Sequence, residues 1–440
     1  MTTVADLAQS LQNVLTEMAD EAAHTSGFVQ RQSKLTGAAF VQAVVFGWLA
    51  NPHATVDALA QAAATVGVAI TPQGLDQRFT EAGALCLKRV LEGAVQAVVT
   101  TDPVAIPLLE RFTAVLMLDS STIVLPEALA PCWPGCGGTT TARTTAALKL
   151  GVRLDVCTGT LTGPLLLDAR DHDSGTPLQR IPVPAGSLRI GDLGFFDLRV
   201  FEEIGASGAY WLSRLRVTTS VYDQDGQRWD ALALLTAQRA PTLDCPIGVG
   251  GHRLPARLLG VRVPAAVANQ RRRRIRAEAK RRGTTPSAAQ LAWADWTILI
   301  TNVPPEMLSL QEALVLLRAR WQIELLFRLW KSHGAIDTSR SAKPWRILCE
   351  VYAKLLAILI QHWLLLTGCW SYPERSLVKA AQTVRQQALH LASVLPSLPR
   401  LCDAIAVIYR CLAAGCRLDT RKKRPSTAQL LLNPSLGGLA

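Results

Sequence analysis

The chain has 440 residues, with 46 basic against 34 acidic side chains, a net charge of +12 and a pI of about 9.5. That length exceeds one compact core and predicts two or three domains, while the excess of positive charge favours a polyanionic partner such as nucleic acid. The first ten residues carry Asp6 without a basic residue or an apolar core, which argues against a secretory leader and for a cytoplasmic protein.

The most apolar run, 351–366, is interrupted by Lys354, Gln361 and His362 and falls short of the ~20 residues a bilayer requires, so it reads as a buried helix with no membrane partner. The ten cysteines do not follow a zinc spacing. Cys132 and Cys136 flank Trp-Pro-Gly and Cys411 and Cys416 are a wide pair, with no second close pair or His-x3-His at a zinc-finger distance.

Residues 1–105 read as helical, because Ala, Leu, Val and Gln dominate and apolar positions recur at three and four. The spacing predicts a helix over 56–66, a turn at Gly67-Val68-Ala69-Ile70, and a second helix opened by Thr71 as N-cap and Pro72 at its first position, running through Gln77, Arg78 and Phe79. Helix, Gly-containing turn and helix make the outline of a helix-turn-helix, a pattern that ordinary helical pairs also show.

From Arg111 the period changes from that of a helix to that of strands. Residues 112–118 form a short apolar run ending at Asp119, followed by Ser120-Ser121-Thr122. Residues 148–156 and 161–167 read as a hairpin about Cys157-Thr158-Gly159-Thr160, and 188–190 as a further short strand ending at Gly191-Asp192-Leu193-Gly194-Phe195-Phe196, with a helix from Asp197 to Glu203. Asp119 and Asp192 are thus each expected at the C-terminal end of a strand. Either could equally cap a turn, since Asp is favoured there. The strand order is that with which a ribonuclease-H-like sheet begins.

Residues 206–290 read as a β-rich basic insertion, with strands at 210–215, 220–222 and 258–263. Arg271, Arg272, Arg273, Arg274, Arg276, Lys280, Arg281 and Arg282 then crowd one segment with only Glu278 to offset them. Mutual repulsion predicts a solvated helix or loop there, able to contact phosphates. Trp293 to Asn302 makes the last strand. Ser309 opens the helix that continues through 317–331, and segments 345–370, 374–394 and 398–414 read as helices before a basic tail, Arg421-Lys422-Lys423-Arg424-Pro425.

On an unbroken helix at about 100° per residue, Arg320, Glu324 and Lys331 share one face, next to an apolar stripe of Leu316, Ile323, Phe327 and Trp330. A surface helix laced with ion pairs would show the same charges. Taken with Asp119 and Asp192, however, Glu324 completes three acids on successive elements. Three carboxylates suit two Mg²⁺, with Mn²⁺ able to substitute, as in phosphodiester cleavage or transfer, and Arg320 and Lys331 beside the last acid suit phosphates.

At this point the chain resembles the DDE transposases of bacterial insertion sequences, in the branch called insertion-sequence family four. The resemblance rests on Leu118-Asp119-Ser120-Ser121, on Gly191-Asp192-Leu193-Gly194-Phe195-Phe196, and on the family's Tyr-x2-Arg-x3-Glu-x6-Lys signature at 317–331. Arg320, Glu324 and Lys331 match that signature, whereas position 317 is Leu where the family has Tyr.

The resemblance implies an α/β, ribonuclease-H-like mixed sheet with a β-rich insertion, a helical N-terminal DNA-binding domain (1–105), a catalytic domain in two parts (106–205 and 291–345) around the insertion (206–290), and a helical C-terminal region (346–440). It also implies cut-and-paste transposition between terminal inverted repeats of double-stranded DNA, with Asp119, Asp192 and Glu324 as catalytic metal ligands. A homodimer on paired ends and a place at the bacterial nucleoid follow from the same resemblance. A ribonuclease-H-like nuclease without strand transfer, and a non-catalytic DNA-binding derivative, are the rival readings.

Overall fold

A computed structural model describes residues 2–31, 34–97, 99–136, 145–237, 240–372, 374–418 and 425–437. Arg421, Lys422, Lys423 and Arg424 of the expected basic tail lie outside the described residues.

Among the described residues the chain opens with six helices: α1 (Val4–Leu15), α2 (Glu17–Thr25), α3 (Gly37–Ala50), α4 (Val56–Thr65), α5 (Pro72–Asp76) and α6 (Glu81–Val95). Threonine hydroxyls start five of them by accepting an N-terminal backbone N–H, at Thr3, Thr36, Thr55, Thr71 and Thr80. Gly67 turns the chain between α4 and α5 at φ +84, a left-handed angle that glycine adopts without Cβ strain. The second helix of this pair is shorter than its sequence suggests, ending at Asp76. Phe79 turns inward onto the Phe40 and Trp48 rings, with centroids at 6.1 and 5.9 Å, and Thr80 caps a new helix.

Strands and helices then alternate: β1 (Val115–Leu125), β2 (Ala146–Asp155), β3 (Leu161–Asp168), β4 (Leu188–Ile190), α7 (Leu198–Ala206), β5 (Tyr210–Arg214), β6 (Val221–Tyr222), β7 (Arg228–Trp229), α8 (Ala231–Ala237), β8 (Thr242–Val249), β9 (Leu254–Arg262), α9 (Ala265–Arg281), α10 (Ala288–Ala292) and β10 (Trp296–Thr301). Among the described residues seven helices follow: α11 (Leu310–Ala319), α12 (Trp321–Arg328), α13 (Pro344–Cys369), α14 (Leu377–Gln386), α15 (Ala388–Val394), α16 (Leu398–Gly415) and α17 (Thr427–Leu432).

Three further elements differ from their sequence outline. Strand β1 runs on through Ser120-Ser121-Thr122 because Ile123 and Leu125 beyond them are buried and pull the pleat onward, leaving Asp119 inside the strand. The stretch 317–331 is not one α-helix. Arg320 ends α11, α12 begins at Trp321, and the chain widens into a π turn over Leu329–His333. Residues 374–394 likewise form two helices, α14 and α15, parted at Gln387.

Two compact units result. One comprises Met1–Val104, Ser120–Asp171 and Glu324–Thr420, the other Ala105–Asp119, His172–Ile323 and Arg421–Ala440. In the first, α13 is the axis. It packs against α3, α6, α14 and α16 and is buried almost throughout, so the apolar run at 351–366 spends its hydrophobicity inside the protein. The N-terminal helices belong to this unit because they are the cover α13 needs. Asp76 at the end of α5 is tied to the start of α13 by Lys343 at 2.5 Å and Arg346 at 3.0 Å.

Two polar side chains that α13 buries bond to backbone carbonyls. Gln361 donates to Ala381 O at 2.9 Å, and His362 Nε2 meets Gly159 O at 2.9 Å. The β2–β3 hairpin of this unit continues from the distal half of β1.

The second unit holds a sheet in the order β1-β4-β5-β10-β9-β8-β6-β7. Strands β1, β4 and β5 pair in parallel, and from β5 onward the pairing is antiparallel. Parallel strands that give way to antiparallel ones, with helices between them, make a mixed α/β arrangement that fits a ribonuclease-H-like fold. Trp211, Trp296, Phe196 and Phe201 anchor its core, the Phe201 ring stacked on Trp211 at 4.6 Å. Each such aromatic contributes about 2–3 kcal/mol of burial.

His362 supplies a test of the α13 packing. Burial holds its imidazole pKa below the ordinary 6.5, opposed by the hydrogen bond to Gly159 O. The unfolded chain therefore takes up this proton first as pH falls through 6.5. The stability carried by the neutral ring is present above 6.5 and lost below it, by up to about 1.4 kcal/mol per pH unit. Urea unfolding at pH 7 and pH 5 is expected to show a smaller acid-side loss in His362→Gln than in the parent protein.

Candidate active site

Strand β4 has only three residues, and its register fixes the site. Val115 pairs with Leu188, Leu116 with Arg189 and Met117 with Ile190. Asp119 and Asp192 each lie two residues beyond the last of these pairs. Asp119 lies within β1 and Asp192 just past the end of β4, where it keeps an extended backbone (φ −79, ψ −178), so both acids follow the same register pair at the same remove.

The turn after β4 is built around Asp192. Its Oδ1 accepts the Gly194 N–H at 2.8 Å and caps a 3-10 turn over Leu193–Phe195. Gln179, buried, donates to Phe195 O at 3.1 Å and is itself bound by the buried Arg189 guanidinium. Arg216 donates to Leu193 O at 3.1 Å and lies over the Phe196 ring at 5.1 Å. A Cβ at position 194 would stand 2.7 Å from Asp173 Oδ2 and 3.0 Å from Asp192 Oδ1, so glycine lets two carboxylates close on the turn.

Arg320, at the end of α11, reaches Asp119 Oδ2 at 3.6 Å, with both side chains largely shielded. Such a pair orients the carboxylate more than it stabilises the fold. Arg257 secures the approach to α11. It pairs with Asp244 at 2.6 and 3.1 Å and donates to Val303 O at 2.7 Å and Leu308 O at 3.0 Å.

Glu324 and Lys331 belong to the first unit, whose last segment begins at Glu324. There Lys331 Nζ donates to Thr122 O, on the distal half of β1, at 3.0 Å. The structure thus gathers Asp119, Asp192 and Arg320 in one unit and Glu324 and Lys331 in the other. Within neither unit do three His, Cys, Asp or Glu side chains gather as metal ligands among the described residues.

The arginine run forms α9, and its members differ in availability. Arg271 donates to Trp296 O at 2.9 Å and Thr297 Oγ1 at 3.0 Å, and burial, together with the nearby Arg214 charge, draws its pKa down. Arg272 grips both oxygens of Asp295 at 2.5 Å and also donates to Leu291 O and Asn269. Arg273 and Arg274 are exposed.

Asp173, Gln179 and Arg216 were not singled out by sequence. They lie in short 3-10 and turn segments whose composition does not mark them. Only the Gly-Asp-x-Gly text of 191–194 signals a tight turn with close neighbours.

The mixed sheet is of the kind the DDE class of enzyme is built on, and the chain belongs to that family: the family model described as Transposase DDE domain matches residues 110–360. The chain is an enzyme that acts on DNA as a bacterial insertion-sequence transposase. It is 28% identical over 378 residues to the transposase for insertion sequence element IS231F of Bacillus thuringiensis subsp. israelensis, covering 80% of this chain and 78% of that one. It is 22% identical over 375 residues to the transposase for IS1151 of Clostridium perfringens, covering 79% and 77%. It is also 29% identical over 234 residues to a putative transposase, InsL, for IS186A of Escherichia coli K12, covering 49% and 60%. The acidic triad of this family generally implies a divalent metal.

Gly194→Ala tests the turn. The added methyl must displace Asp173 or Asp192, so activity on element-end DNA is expected to fall about tenfold or more, ~1.4 kcal/mol of barrier, with the thermal midpoint nearly unchanged. Single-turnover assays beside a melting curve decide it. An unchanged rate would separate the Asp192 carboxylate from its turn.

Proposed function

We propose that the protein is a cut-and-paste transposase of insertion-sequence family four. In this reading it binds the terminal inverted repeats of its element, cleaves the ends by metal-dependent hydrolysis and joins the 3′ ends to target DNA as a homodimer at the bacterial nucleoid. The observation that carries the reading is the placement of Asp119 and Asp192 two residues past the Met117–Ile190 pair, with Arg320 at 3.6 Å from Asp119.

Carboxylate oxygens are hard donors, and the free Oδ2 side of an Asp192 whose Oδ1 is engaged by a backbone N–H suits Mg²⁺ or Mn²⁺. Asp119, Asp192 and Glu324 would hold two such ions, which would activate the attacking hydroxyl and stabilise the leaving oxygen. Arg320 keeps Asp119 oriented and offers a planar donor set to a phosphate. Lys331, held by Thr122 O, presents a point charge to the same backbone. Leu317, where the family carries Tyr, has no hydroxyl to donate, so the cleaved 5′ end is handled without one.

DNA outside the active site falls to two further surfaces. The α4–α5 pair reads the ends. The exposed Arg273 and Arg274 of α9 meet phosphates, whereas Arg271 and Arg272 serve the fold through Trp296, Thr297 and Asp295.

Asp119→Asn, Asp192→Asn and Glu324→Gln test the chemistry, since each keeps side-chain size while removing a charged oxygen. On a labelled element end with Mg²⁺, each is expected to lower cleavage and joining by about a hundredfold or more, ~3 kcal/mol, while duplex binding persists. Near-parental cleavage by Glu324→Gln would end this reading. Cleavage without joining by the parent protein would favour the simple nuclease.

The α9 surface is tested by salt. Arg273→Ala with Arg274→Ala is expected to flatten the slope of log K against log salt by up to about 1.8, at ~0.9 per lost phosphate contact. Arg271→Ala with Arg272→Ala should leave the slope alone and lower thermal stability instead. Equal slopes for the two double variants would remove α9 from the interface.

A further inference from the structure

Beyond Lys331 the chain does not leave the π turn freely. Gly334 passes so close to α13 that a Cβ there would stand 2.5 Å from Ile358 Cδ1 and 2.6 Å from Trp330 O. Ala335 follows at φ +48, a left-handed angle that strains a residue with a Cβ. The segment 335–339 therefore needs an external hold.

That hold comes from α13. Lys354, 1% exposed, donates from Nζ to Ala335 O at 2.8 Å and to Thr338 O at 2.9 Å, and lies 2.7 Å from Glu350 Oε1. Its three N–H donors meet three acceptors. The second Glu350 oxygen accepts from Ser339 Oγ at 2.6 Å, so the same turn is gripped at three residues.

A buried ion pair is a poor way to gain stability, because desolvation of both ions offsets their attraction and apolar residues of equal volume often serve as well. The burial is felt here: it draws the Lys354 pKa below its ordinary 10.5, with Glu350 opposing. What such a pair gives is one defined conformation. The conformation it defines is that of the turn directly after the segment bearing Glu324 and Lys331, in the same unit.

We propose that Lys354 and Glu350 are positioning residues for the transposition chemistry, fixing the π turn and hence the settings of Lys331 and Glu324 without touching DNA. This rests on the assignment of Glu324 and Lys331 to the active site.

The test uses the full-length double variant Lys354→Met with Glu350→Gln, which removes both charges together and leaves no orphaned ion while keeping an acceptor for Ser339. Expected are a thermal midpoint and element-end affinity close to those of the parent, single-turnover cleavage slower by about ten- to a hundredfold, and faster amide exchange confined to 329–339. Parental cleavage by the folded double variant overturns the proposal. Loss of cleavage together with global stability also overturns it, since the pair is then a stability element. Glu324→Gln in the same assay reports separately on the underlying assignment, because its normal cleavage would defeat that assignment whatever the double variant does.

Discussion

The parallel pairing of β4 with β1 and β5 is the constraint on which the rest of the site depends. Three residues, Leu188, Arg189 and Ile190, are buried between two neighbours and carry the whole register. A strand so short has no length over which to average a slip. A shift of one residue would send Asp192 to the opposite face from Asp119. The surrounding contacts guard against that: Arg189 binds Gln179, Gln179 binds Phe195 O, and Asn302 Oδ1 accepts the Trp211 N–H of β5 at 2.8 Å. Hydrogen bonds from buried donors are costly to break, so they lock register more sharply than apolar packing could.

The helical segment from Leu310 to His333 is governed by the same logic at its two ends. In one unit Arg257, paired with Asp244, takes the carbonyls of Val303 and Leu308. In the other, Lys354, paired with Glu350, takes those of Ala335 and Thr338. In both places a cation with an acid partner satisfies carbonyls that the loop itself leaves open. Loops before and after a functional helix ordinarily drift. Here each is fastened to a strand or helix of its own unit.

Much of this was legible in the sequence where side chains speak for themselves. Thr71-Pro72 and Ser309 announce their helix starts, and Leu188 to Ile190 reads as a strand with its observed limits. The order of the three acids is equally plain. What escaped reading depends on partners far along the chain. Ser120-Ser121-Thr122 has the composition of a turn, and only the burial of Ile123 and Leu125 keeps it in the strand. The π turn at Leu329–His333 is a shift of backbone hydrogen bonds, to which side-chain periodicity is blind. Repulsion within the arginine run correctly exposes Arg273 and Arg274, but it takes no account of Asp295 or of the Trp296 carbonyl that draw Arg271 and Arg272 inward. The cover that α13 needs comes from helices before and after it in the chain, α3, α6, α14 and α16, which its own apolar run does not name.

The β-rich insertion also settles how its sheet stops. Beyond the eight-residue β8 come only β6 and β7, two residues each, the second carrying Arg228 on its exposed side. A long open border would present a ladder of unpaired amides to any other extended chain, the usual route to edge-to-edge aggregation. Here β6 meets β8 at Gly248 and Val249, and the sheet narrows at this border to a two-residue strand with a charge. The strand that ends the sheet on this side therefore offers little length on which another extended chain could add.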